Sequence, residues 1–76
     1  MSKIMIVFQN PDDILSFVQR VDKYPYNMNI RYGKYVVNAK SLLGLMNVGL
    51  HRVMELNVYE EKCEELQKDI EEFIAA

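Results

Sequence analysis

The 76-residue sequence has one cysteine, Cys63, and one histidine, His51. A single thiol cannot close an internal disulfide or supply a multi-cysteine metal site, and it suits a reducing cytoplasm. Long apolar runs are missing too. The N-terminal stretch has only five consecutive apolar residues, Ile4 to Phe8, before Gln9. That is too short for the apolar region of a signal peptide and far short of a membrane span, so a cytoplasmic protein without membrane contact is expected. No Lys/Arg stripe is present. Residues 1–59 carry a net +3 spread over several elements, while residues 60–76 carry −5, a poor footprint for nucleic acid. Linkers, repeats and low-complexity tracts are absent, which leaves one small domain, residues 1–76.

What is present is an ordinary globular composition, 50% hydrophobic and 26% charged. The run Lys3–Phe8 suits a strand buried on both sides or at a sheet centre. Asn10 is a good N-cap, Pro11 fits the first helical position, and Asp12 and Asp13 complement the positive end of the dipole. The spacing of Ile14, Leu15, Phe17, Val18 and Val21 predicts one apolar face on a helix from Pro11 to Lys23. Pro25 stops it. Met28, Ile30 and Tyr32 alternate with polar residues as in a half-buried strand, and Gly33-Lys34 makes a hairpin turn into a third strand at Tyr35. Ser41 caps a short helix Leu42–Val48 that Gly49 closes. Residues 52–59 alternate as a fourth strand, with His51 at its start, and a last helix is predicted over Lys62–Ala75 with Cys63 as a small buried hydrophobe. The order βαββαβα predicts an α+β open-faced sandwich.

The stretch "VNAKSLLGLMNVGL" resembles a segment of HPr, the small phosphocarrier of the bacterial phosphotransferase system (PTS) for sugar transport. Val37, Asn38, Lys40, Ser41, Leu42, Leu43, Gly44, Leu45, Met46, Val48, Gly49 and Leu50 all fit the family's pattern, and the likeness runs without gaps from about Val18 to Tyr59. The resemblance implies an HPr-like fold with an antiparallel sheet in the order 1-4-2-3 and three helices on one face. In the family the phosphoryl group is carried by a histidine in a G-[IL]-H-A-R-P motif that opens the first helix. Counting back from the matched segment places Asn10 at that histidine, Asp12 at the motif's arginine and Asp13 at its proline; none of the three matches. Electrostatics agree, because two carboxylates already occupy the helix end that would receive an anion of nearly two charges.

Asn10, Asp12 and Asp13 are therefore expected to cap a helix and to form a degenerate active site with no catalytic residue. They supply too few oxygen ligands for a metal site, and no cofactor is expected. With no second ligand or nucleophile predicted beside it, His51 is expected on the surface. Ser41 is a cap by default; the resemblance adds regulatory phosphorylation, as in HPr of Gram-positive bacteria. One short helix cannot bury Leu42, Leu43, Leu45 and Met46 against a sheet edge, so part of this set, with Lys40 and Arg52 nearby, is expected to bind protein partners. The resemblance suggests PTS enzymes, a serine kinase or a transcriptional regulator. A monomer or weak homodimer is expected. Three functions stay open: a non-catalytic regulatory or scaffold member of the family, a phosphocarrier with an unrecognised acceptor, and a general protein-interaction domain.

Overall fold

The computed structural model describes residues 1–75. Its elements are β1 (Ser2–Ile6), α1 (Pro11–Val21), β2 (Met28–Tyr32), β3 (Tyr35–Asn38), α2 (Leu42–Val48), β4 (Met54–Val58), α3 (Glu64–Asp69) and a 3-10 turn (Glu71–Phe73). The strands form one antiparallel sheet in the order β1-β4-β2-β3, the α+β open-faced arrangement expected. Strand alternation divides the residues between two faces. Ile4, Ile6, Met28, Ile30, Met54, Leu56 and Val58 are buried beneath the helices. Their neighbours Lys3, Met5, Asn29, Arg31, Glu55 and Asn57 point to the uncovered side. Gly33, at φ +57°, opens the two-residue turn that sets Tyr32 opposite Tyr35.

Three rings centre the core. Phe8, Phe17 and Phe73 are buried and meet edge-on, with centroids 5.1, 5.8 and 5.9 Å apart. That geometry sets the positive edge of each ring against the negative face of the next. The trio joins the end of β1 to α1 and to the C-terminal turn, so it ties together parts of the chain far apart in sequence.

Both long helices are shorter than expected. α1 ends at Val21 rather than Lys23, because Pro25 holds Tyr24 off helical geometry. The chain tightens instead, with bonds from Lys23 N to Arg20 O (3.3 Å) and from Tyr24 N to Val21 O (3.1 Å). The last helix spans Glu64–Asp69 rather than Lys62–Ala75. Cys63 is its N-cap residue, buried but making no side-chain cap. Beyond Phe73 the chain extends and seals the edge of β1: Val7 N donates to Phe73 O (2.9 Å), Ala75 N donates to Met5 O (2.8 Å), and Ile74 bridges Ile6. Pairing an open strand edge satisfies backbone groups that another helical turn would leave exposed.

A polar clasp joins the C-terminal ends of α1 and α3. Arg20 Nη1 donates to Asp69 O (2.8 Å) and pairs with Glu72; Tyr24 OH donates to Asp69 Oδ2 (2.7 Å), with Lys23 Nζ 3.1 Å from the same oxygen. The Tyr24 hydroxyl, and then Lys23, hold the Asp69 carboxyl below its ordinary value, while the Tyr24 hydroxyl is pushed up to about 12, chiefly by its bond to Asp69. A carboxyl harder to protonate when folded contributes stability above the unfolded pKa near 3.8 and loses it as pH falls through the lowered folded value. The Tm difference between wild type and Asp69→Asn is therefore expected to be largest near neutral pH and to shrink toward about pH 2. An equal difference across that range, read by thermal circular dichroism, refutes the clasp's acid dependence.

Candidate functional site

The site is built where α1 begins and α2 ends. Asn10, in extended conformation, accepts the Asp13 N–H on Oδ1 (2.9 Å), and Asp13 reaches back to accept the Gln9 N–H on Oδ2 (2.9 Å). Asn10 is thus a side-chain N-cap, while Asp13 reaches one residue past it, to Gln9, instead of closing a capping box on Asn10's own N–H. Pro11 has no N–H to offer, and Asp12 stands exposed in the first turn. The helix end that attracts anions is thus filled by the chain's own groups, as Asn10, Asp12 and Asp13 were expected to fill it.

His51 is exposed, as expected, but its place in the fold is not the expected one. It does not start β4, which begins at Met54; it lies in the connection from α2, at φ +61°, a left-handed conformation uncommon for a residue with a Cβ. Its N–H donates to Phe8 O (2.8 Å), and its Nδ1 lies 3.0 Å from Gln9 Oε1. With Nδ1–H donating to that oxygen, Nε2 keeps a free lone pair. The fold therefore carries the one imidazole of the chain from α2 to the residue preceding Asn10. No local pattern signals this, since the contact spans 42 positions.

On α2, Ser41 caps the helix by accepting the Gly44 N–H on Oγ (3.1 Å), and Gly49, at φ +106°, ends it. A Cβ on Gly44 would lie 3.3 Å from Val37 Cβ and 3.1 Å from Ser41 Oγ, so glycine permits the close approach of α2 to β3. Part of the apolar set was expected to stay exposed, and two of the four do: Leu43 is 79% exposed and Met46 44%. Leu45 is a correction, being 1% exposed and part of the core, and Leu42 packs half-buried against that core. Helical periodicity turns Leu45 inward while Leu43 and Met46, three apart, share the outer face. Lys40 is tied down, its Nζ donating to Tyr24 O (2.6 Å), and Arg52 lays its guanidinium 5.2 Å over the Tyr32 ring. A groove of about 370 Å³ runs between β3 and α2, with Tyr35, Val37, Val48 and Arg52 in its walls. Of the five basic residues from Lys23 to Met54, Arg31 lies on the uncovered sheet face and Lys23 pairs with Asp69, while Lys40 and Arg52 lie next to α2. An apolar knob flanked by two cations can dock a partner that is apolar at its centre and acidic at its edge. Among the described residues no group of His, Cys, Asp and Glu is placed to hold a metal ion, and no helix is long and apolar enough to cross a membrane.

Comparison with known proteins bears on this geometry directly. A family model described as the PTS HPr component phosphorylation site matches residues 14–76, starting just after the Asn10–Asp13 cap. No curated protein sequence matches. Among solved structures, HPr-C-His from Thermoanaerobacter tengcongensis is 25% identical, with a TM-score of 0.76 over 95% of this chain and 89% of its own. A phosphocarrier protein HPr from Bacillus anthracis str. Ames is 17% identical, with a TM-score of 0.74 over 97% of this chain and 96% of its own. A histidine-containing phosphocarrier protein of Mycoplasma is 12% identical, with a TM-score of 0.74 over 93% and 89%. At those two lower identities the likeness is one of fold.

Proposed function

The chain belongs to the HPr family of the phosphotransferase system, and from that premise we propose that it is a cytoplasmic, non-catalytic member that docks the family's protein partners without carrying phosphate at the first helix. The observation that supports this reading most is the Asn10 cap with Asp12 and Asp13 behind it. The family places its phosphoryl-accepting histidine at the start of this helix; here the position is Asn10, its amide oxygen is spent on the Asp13 N–H, and two carboxylates repel an incoming phosphoryl group. Docking is assigned to α2, where Leu43 and Met46 form the exposed apolar centre and Arg52, with Lys40, supplies attraction for an acidic partner. Side chains of Met and Leu adapt to a partner's shape.

Ser41 is the proposed regulatory position. Its hydroxyl is half-buried at the cap, and added phosphate would meet the free N–H groups of α2, so the helix accommodates it. Nearly two negative charges beside Leu43 would then oppose an acidic partner and favour a basic one.

The binding experiment uses the purified first enzyme of the phosphotransferase system. In calorimetry or NMR titration the double variant Leu43→Lys, Met46→Lys is expected to weaken binding at least about tenfold, the scale of a lost apolar anchor, while circular dichroism stays unchanged. Unchanged affinity in a folded variant sinks the α2 reading.

A second reading has one observation in its favour. His51 Nε2 is free and its ring is held at Gln9, beside the family's acceptor position, so a phosphoryl group could form its P–N bond there as the donor's bond breaks. The transfer experiment in the Discussion separates the two.

A further inference from the structure

The helices cover one face of the sheet and leave the other bare, and that bare face carries unmet chemistry. Of the nine large hydrophobic residues that stand exposed among the described residues, five lie there, lining shallow hollows with Lys3, Arg31 and Glu55: Met1, Met5, Val36, Val53 and Tyr59. They surround a polar centre on the two middle strands. Asn57 is 6% exposed, with Nδ2 donating to Asn29 Oδ1 (3.0 Å) and Glu55 Oε2 (3.2 Å), but its buried Oδ1 has no donor. Exchanging its amide N and O would set oxygen against both acceptors, so the orphan is the oxygen. Arg31 sits opposite Glu55 in the register, yet Glu55 turns to Asn57 and to Lys3 (3.8 Å), and Arg31 makes no ion pair among the described residues. One face thus holds, near its midpoint, a guanidinium without an acceptor beside a partly exposed carboxylate, with the orphaned Asn57 oxygen buried beneath them.

We infer that this face binds a second copy of the chain, the two bare sheets packing face to face across a twofold axis. In a twofold contact each residue meets the same patch it belongs to, so a surface must complement itself. This one does. An axis between the two middle strands sets Arg31 of each copy against the partly exposed Glu55 of the other, while the apolar residues close around the ion pair. Two sheets packed about 10 Å apart interdigitate such side chains. Four strands of about five residues, at about 4.8 Å between strands and 3.4 Å along them, present a footprint of about 330 Å² per copy, or about 650 Å² for the two, below the standard size of a specific interface, so the dimer is weak and concentration-dependent. It leaves α2 free, and its truth does not depend on the docking reading above.

Sedimentation velocity from micromolar to millimolar concentration tests it, with folding followed by circular dichroism. Wild type is expected to shift toward a dimer as concentration rises. Arg31→Glu alone and Glu55→Arg alone place like charges across the axis and weaken the dimer at least about tenfold. Mixed together they restore it, because the introduced carboxylate of each copy of the first meets the introduced guanidinium of the second. Should Glu55→Arg fail to fold, Val36→Glu, at an exposed edge-strand position, is expected to give the same loss. A wild type that stays monomeric throughout overturns the inference, as does a dimer that survives both Arg31→Glu and Val36→Glu.

Discussion

Phe17→Ala is expected to remove about 3–5 kcal/mol of stability, the cost of truncating a fully buried ring whose site cannot collapse. Phe17 is completely buried between Phe8 and Phe73, so a cavity opens where three elements meet. A domain of this size holds only about 4–11 kcal/mol in all, so the variant loses much of its margin and unfolds at far lower urea. Leu15→Ala on the same helix is the control: Leu15 is 43% exposed, and its loss is expected to stay within about 0.5 kcal/mol. Urea denaturation read by circular dichroism measures both. A Phe17→Ala cost below about 1 kcal/mol would show that the trio does not centre the core.

Incubated with the first enzyme of the phosphotransferase system and labelled phosphoenolpyruvate, the protein is expected to take up no acid-labile phosphate, where an ordinary HPr is labelled readily. Asn10 offers no imidazole, and its amide oxygen accepts the Asp13 N–H. Asn10→His alone is not expected to restore transfer, because Asp12 and Asp13 still hold the positive end of α1 and Asp13 still caps the Gln9 N–H. Asn10→His with Asp12 and Asp13 both changed to Asn should regain more than the single variant if repulsion is the obstacle. Restoration by the single change would show that the carboxylates matter little. Label on the wild type that disappears in His51→Ala would instead establish the second reading, with His51 as acceptor. The control for that variant is its fold, since the His51 N–H bond to Phe8 O is a backbone bond that alanine can keep.

Periodicity and capping were decisive wherever a structure depends on neighbours in the chain. Asn10-Pro11-Asp12-Asp13 and Ser41 start their helices through side chains that reach three residues ahead, and Gly33 and Gly49 adopt conformations that most residues avoid. Strand order followed from the family resemblance of the segment through Leu50, not from periodicity. What sequence alone could not decide were the outcomes set by contacts between distant parts of the chain. The last helix stopped at Asp69 because Ile74 found the open edge of β1, and a 3-10 turn keeps apolar residues at nearly the spacing a helix would, so the two look alike in sequence. Leu45 and Leu43 are chemically the same and two positions apart; which one faces β3 and α1 depends on how α2 is rolled against them, and Gly44 sets how closely it lies. His51 came to Gln9, and Arg31 was left without a partner while Glu55 turned to Asn57, through choices made across 42 positions and across strands. Such choices lie beyond sequence because local energies of a few tenths of a kcal/mol per residue are outweighed by the burial and pairing that the assembled sheet and helices offer.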